Sequence, residues 1–283
     1  MARKKAAVVT IHGMGAQYKN LDADPRIVTY SADLRARART EMGLPIFDAN
    51  VGWYEVYWAD VLQARQAKYA ETLEDLDLLS SLRQFVMYNL SDAACYYPIA
   101  GDTDSTYARV HDCVDKAIAA AAADCEPGAP LIVAAHSLGG HIMSNYIYDL
   151  TKARDTGSPR FTSAFRNLET FRSFFTFGCN IPVFVFSARK VVPIRYPGKT
   201  DGPPGRTWWR NYFDPDDPLG FPLGAIGGEY LKMANRREIV DTSINAGGLL
   251  TSWNPWSHNG YWDDRDIALP LARELERVLG LSG

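Results

Sequence analysis

Apolar residues gather in short runs separated by longer amphipathic or irregular stretches. Runs of strand length, rich in β-branched and aromatic residues, recur at Ala7–Ile11, Val51–Trp58, Leu131–Ala135, Phe171–Phe177, Thr207–Phe213 and Glu238–Ile244. Between them the period changes. Tyr107, Val110, Val114, Ile118 and Ala121 follow helical spacing until Pro127-Gly128 ends the pattern. Ile142, Tyr146 and Leu150 recur at intervals of four and predict a second helix. A last helix is expected over about Asp266–Leu279, with Pro270 near its first turn, where a proline is tolerated. Strands alternating with helical stretches predict an α/β protein with a mostly parallel central sheet flanked by helices.

Two regions fit this plan poorly. Residues 60–105 carry an apolar stripe, Leu79, Leu82, Val86 and Leu90, followed by Cys95-Tyr96-Tyr97-Pro98, and residues 183–206 are rich in Pro, Gly and Arg. Either could supply a cap or lid; for the first, an ordinary helix covering the sheet is the simpler expectation. Nothing in the chain repeats and no low-complexity linker divides it, so residues 1–283 are expected to form a single domain.

Composition narrows the classes of partner. The chain is 47% hydrophobic, ample for a buried core. Its 30 Lys and Arg against 33 Asp and Glu give a net charge of −3, so there is no basic footprint for nucleic acid or an anionic membrane. No segment approaches the roughly 18 to 20 consecutive apolar residues of a spanning helix. The run Ala6–Ile11 after Arg3, Lys4 and Lys5 is too short for a signal peptide and reads as the first strand, so a soluble cytoplasmic protein without a stable membrane anchor is expected. Cys95, Cys113, Cys125 and Cys179 lack metal or disulfide spacing, the histidines are scattered, and neither a metal nor a cofactor is expected. Oligomeric state is not legible.

The candidate chemistry begins at Ala135-His136-Ser137-Leu138-Gly139. An apolar run enters this pentapeptide and a helix-compatible run leaves it, which reads as strand, sharp turn and helix with a serine at the apex. Small residues two before and two after the serine are what such a nucleophile elbow needs. Gly is usual where this chain has Ala135, which still supplies a small side chain. The dipole of the following helix would favour developing negative charge at Ser137.

An acyl-transfer serine also needs a base, a group that orients the base, and donors for the oxyanion. Acid candidates lie in Asp214-Pro215-Asp216-Asp217-Pro218-Leu219, at the end of the fifth run. Asp217, deeper in the loop, is preferred; Asp214 and Asp216 remain alternatives, because Asp and Pro are also ordinary turn formers. The base candidate is His258 in Ser257-His258-Asn259-Gly260-Tyr261-Trp262, the one histidine lying between the last strand and the last helix. His12-Gly13-Met14-Gly15, directly after the first strand, offers a tight loop, and the Met14 and Leu138 backbone N–H groups are the candidate oxyanion donors. His12, Gly13, Gly15 and His136 are read as supporting residues. A dinucleotide loop is disfavoured, since Tyr18 occupies the third glycine position and no GK[ST] follows.

In this order, these segments resemble the α/β-hydrolase superfamily, in its lipase-like and esterase-like members. Phospholipase- and inositol-deacylase-like branches have an Asp-Pro-hydrophobic segment carrying the acid and a Ser-His-x-x-Tyr-Trp-like segment carrying the histidine. The resemblance implies a serine hydrolase acting on ester bonds, with the triad roles falling on Ser137, Asp217 and His258. Trp208, Trp209, Trp253, Trp256, Tyr261 and Trp262 lie near these loops and are explained equally by core and loop packing or by an apolar acyl or aryl pocket for a small-molecule, lipid-like ester. Thioesterase or acyltransferase chemistry, or a ligand-binding module without turnover, are the alternative readings.

Overall fold

The computed structural model describes residues 2–13, 24–61, 94–99, 101–185, 191–199, 206–246 and 257–281, the side chains of 257–259 excepted. Six strands form one parallel sheet: β1 (Ala6–Ile11), β2 (Val51–Val56), β3 (Leu131–His136), β4 (Phe171–Phe177), β5 (Trp209–Phe213) and β6 (Ile239–Ser243), in the order β2-β1-β3-β4-β5-β6. All five strand pairings are parallel. Helices α1 (Ala32–Met42) and α2 (Leu44–Asn50) precede β2, α3 (Thr106–Asp124) precedes β3, and α4 (Leu138–Asp155) follows it. The other α-helices among the described residues are α5 (Ile181–Val185), α6 (Gly228–Asn235) and α7 (Arg265–Val278).

The apolar runs are continuous because helices cover both faces of the sheet. Ala7, Val9 and Ile11 of β1 join Leu131, Val133 and Ala135 of β3 in the core beneath α3 and α4. The alternate residues Ala6, Val8, Ile132 and Ala134 face the opposite core with α1 and α7. Along β4 the alternation breaks, since Phe171 and Phe174 lie on one side while Phe175 and Phe177 lie on the other. The register irregularity opposite Leu131/Ile132 accounts for this, because one extra residue reverses the parity of everything beyond it.

One expectation changes at this level and one pair of alternatives is decided for two residues. Pro270 lies in the second turn of α7, not its first, so its missing N–H removes a bond that Asp266 would otherwise accept. Trp208 and Trp209 pack into the core around Phe171, Phe174, Tyr196 and Tyr230 at the amino end of β5. They belong to the interior and not to a pocket at the opposite, carboxyl end of the strand. Most of residues 60–105 and part of residues 183–206, the two stretches considered as a cap, lie outside the described residues, as do Trp253 and Trp256. Among the described residues no helix is long and apolar enough to cross a membrane.

Candidate active site

The chain runs from β1 to β2 on one side and then crosses to β3 on the other, so the loops after β1 and β3 diverge at their carboxyl ends. In an open α/β sheet that switch point is where ligands bind. The loop after β1 carries His12 and Gly13, and the loop after β3 carries Ser137.

Ser137 has φ 54° and ψ −127°, a left-handed conformation that is costly for a residue with a side chain. The turn is held from both sides: the Ser137 N–H donates to the Phe177 carbonyl, and the Gly140 N–H donates to the Ser137 carbonyl, each at 3.0 Å. Leu138 opens α4, so its N–H is among those that a helix leaves without an internal partner. Ser137 is fully buried, and among the described residues its Oγ has no hydrogen-bond partner. A parallel sheet in this strand order, with a strained serine between its central strand and the following helix, is the α/β-hydrolase fold.

The loop after β1 presses against the elbow. A Cβ built on Gly13 would sit 2.5 Å from Ser137 Cβ and 3.1 Å from Ser137 Oγ; one on Gly139 would sit 2.5 Å from the His12 carbonyl and 2.8 Å from that of Ile11. Glycine at 139 is therefore a packing requirement, whereas Ala135, inside regular β3 pairing, needs only to be small. Gly13→Ala is expected to displace the serine and lower turnover by about 100-fold, since a misplacement of about 1 Å costs that much. Gly139→Ala meets backbone that cannot swing away and is expected to cost about 1–3 kcal/mol, read from denaturant midpoints. If both variants match wild type in activity and stability, this packing is not what the site depends on.

His12 supports the loop. Its Nδ1–H donates to the Gly13 carbonyl at 2.8 Å, its Nε2 accepts from the Trp58 N–H at 3.3 Å, and the Trp58 indole N–H donates to its carbonyl at 3.1 Å. The ring stacks on Trp58 with centroids 5.1 Å apart. Burial holds its pKa down at about 4, so it is neutral and both ring nitrogens are engaged. His136 packs among Phe177, Tyr261 and Trp262. Met14 and Gly15 lie outside the described residues.

The acid candidates separate. Asp216 is exposed, while Asp214 and Asp217 are buried. Asp214 spends both oxygens on backbone, accepting from the Asp216 N–H at 2.9 Å and the Ala246 N–H at 2.8 Å. Asp217 accepts from the Leu219 N–H at 2.9 Å on one oxygen and from the Tyr261 hydroxyl at 2.8 Å on the other. Tyr261 belongs to a 3₁₀ segment, Ser257–Asp263, that also contains position 258; the His258 side chain lies outside the described residues. The structure thus brings together Ser137, His12, Gly13, His136, Leu138 and Gly139 at one end of the sheet, with Asp217 on the loop after β5.

Sequence reasoning missed two buried groups here. Cys179 Sγ would be 2.7 Å from a Cβ on Gly140, so the residues after β4 seat directly on the first turn of α4. Next to it, Asn180 is buried and its Oδ1 has no partner among the described residues. A lone Asn within an apolar stretch carries no signal that would have singled it out.

Burial also lowers His111 to about 3 and His141 to about 4. With His12, three imidazoles are therefore neutral in the folded chain but take up protons once unfolded. Where the unfolded state binds more protons, stability rises with pH. Stability is expected to be fully present above about pH 6.5 and to fall as the pH drops toward 4. Melting temperatures from pH 7.5 to 4.5 test this, and a flat profile would contradict it.

No protein-family model matches the chain, and no curated protein sequence matches it. Among solved structures, a Xanthomonas campestris α/β serine hydrolase described as having no lid is similar over 96% of this chain and 81% of its own, at 9% identity and a TM-score of 0.35.

Proposed function

We propose that the protein is a serine hydrolase that cleaves carboxylic esters, of the carboxylesterase or lipase kind, through an acyl-enzyme. Ser137 carries this reading: its strained backbone sets a buried Oγ, without a hydrogen-bond partner among the described residues, against Gly13 and the start of α4. Such a conformation costs on the order of 1–3 kcal/mol and persists where position matters more than stability.

In this reading Ser137 Oγ attacks the ester carbonyl while its proton passes to His258, which is oriented by Asp217. The Leu138 and Met14 N–H groups receive the developing oxyanion. Collapse expels the alcohol, which takes the proton from His258. Water, deprotonated by the same imidazole, then attacks the acyl-enzyme carbonyl; collapse breaks the bond to Ser137 Oγ, which regains its proton from His258 as the carboxylic acid leaves. Chain order supports the base, since His258 follows β6 and precedes α7, the place the elbow's partner occupies in this fold. The repeat of the 3₁₀ segment supports the acid: residues three apart eclipse one another, so positions 258 and 261 share a face, and Tyr261 on that face bonds Asp217. His12, His111 and His141 are poorer bases, since their pKa values are lowered and each is hydrogen-bonded elsewhere.

A series of p-nitrophenyl esters from acetyl to palmitoyl tests the activity and its acyl preference. Turnover of any member, together with covalent labelling by a fluorophosphonate, is expected. Failure of both would overturn the proposal.

A further inference from the structure

The bond between Tyr261 and Asp217 spans two loops that are distant in sequence. The Tyr261 hydroxyl donates to Asp217 Oδ2 at 2.8 Å and accepts from the Asp214 N–H at 2.9 Å, so one oxygen ties the 3₁₀ segment to both ends of the acid loop. Burial, reinforced by the Asp217 charge, pushes the phenol well above its ordinary pKa, which keeps it protonated and a donor. Its ring is fixed against His136 and Phe177, centroids 5.8 and 6.2 Å away. Gly220 leaves room for the bond: a Cβ there would lie 2.7 Å from Asp217 Oδ2 and 2.9 Å from Tyr261 Oη. Tyr and Gly at these places are explained by the contact they share, and neither is needed for a turn made only of Asp and Pro.

We propose that Tyr261 is a positioning residue whose hydroxyl clasps the Asp217 carboxylate and sets how strongly that carboxylate acts on His258. The inference rests on the assignment of Asp217 and His258 above. Physically, a hydroxyl donating to a carboxylate disperses part of its charge. Without the donor, the full charge faces the imidazole and favours its protonated form. The clasp thus fixes the acid in space and moderates the basicity of its partner.

The histidine pKa can be read directly in the full-length protein by NMR of ¹³C-labelled histidine, with His258→Gln identifying the resonance. Tyr261→Phe keeps the ring and removes the oxygen. It is expected to raise the His258 pKa by about half a unit or more. The kcat should fall about 10- to 100-fold, with KM within about twofold, because a hydrogen bond to a charged group is lost without loss of substrate contacts. Gly220→Ala crowds the same bond while leaving the hydroxyl in place, and should shift the titration in the same direction.

An unchanged His258 titration in both variants overturns the clasp, whatever the activity. A wild-type protein that neither labels nor hydrolyses, but whose His258 pKa rises in Tyr261→Phe, overturns the hydrolase reading and leaves the clasp standing. A variant that loses stability with its His258 pKa unmoved shows that Tyr261 only holds the loops together.

Discussion

Ser137→Ala is expected to abolish fluorophosphonate labelling and to lower ester hydrolysis by at least about 10⁴-fold, leaving only what binding and the oxyanion donors supply. The substitution removes one buried oxygen that has no hydrogen-bond partner among the described residues, so it orphans no described group and no loss of fold is expected. Alanine is even slightly awkward there for the same reason as serine, since φ stays at 54° and the Cβ remains close to Gly13. A melting temperature within a few degrees of wild type, with activity gone, would therefore separate chemistry from folding. Equal labelling of wild type and Ser137→Ala would place the reactive nucleophile elsewhere. Retained hydrolysis without labelling would show that the serine is accessible to the probe but not required.

The strands and the elbow were legible because each is written locally. A strand buried on both faces is a continuous apolar run, and Leu131–His136 needs no distant partner to be recognised as one. The loops after β1 and β3 followed, since a short glycine loop and a serine between small residues mark the ends of runs already located. Helices α1 and α2 were not anticipated. In α1 only Leu34, Ala38 and Met42 are buried, among three arginines and two acids, so three apolar positions four apart are all that its sequence shows. Buried polar networks were equally silent. Glu55 on β2 accepts from the backbone and side chains of both Thr29 and Ser31, an arrangement that pairs residues from separate segments. Tyr261 and Asp217, 44 positions apart, fail to declare themselves for the same reason. Aromatic residues left two readings open, because proximity in sequence is not proximity in space. Trp208 and Trp209 lie just before the acid loop, but a five-residue strand separates its ends by roughly 13 Å and carries them to the far edge of the sheet.

The second large effect is expected at the acid, where Asp217→Asn and Asp214→Asn should diverge. Replacing a triad carboxylate by an amide presents a donor to the imidazole and favours the wrong tautomer, a change that costs about 10⁴-fold in kcat in a comparable triad. Asp217→Asn should approach that loss with a modest change in stability, because an amide oxygen can still accept from either the Leu219 N–H or the Tyr261 hydroxyl. Asp214→Asn meets a different constraint. Both of its oxygens accept backbone N–H groups, from Asp216 and Ala246, so one rotamer or the other sets an amide NH₂ against an N–H. An unsatisfied buried donor costs about 1–3 kcal/mol, so this variant should lose stability while keeping activity within about tenfold once folded. Measuring kcat and denaturant midpoints on the pair distinguishes the roles. A greater loss of kcat in folded Asp214→Asn than in Asp217→Asn would transfer the acid to Asp214. That result would leave the Tyr261 hydroxyl acting on the acid through its bond to the Asp214 N–H instead of through the carboxylate it touches at 2.8 Å.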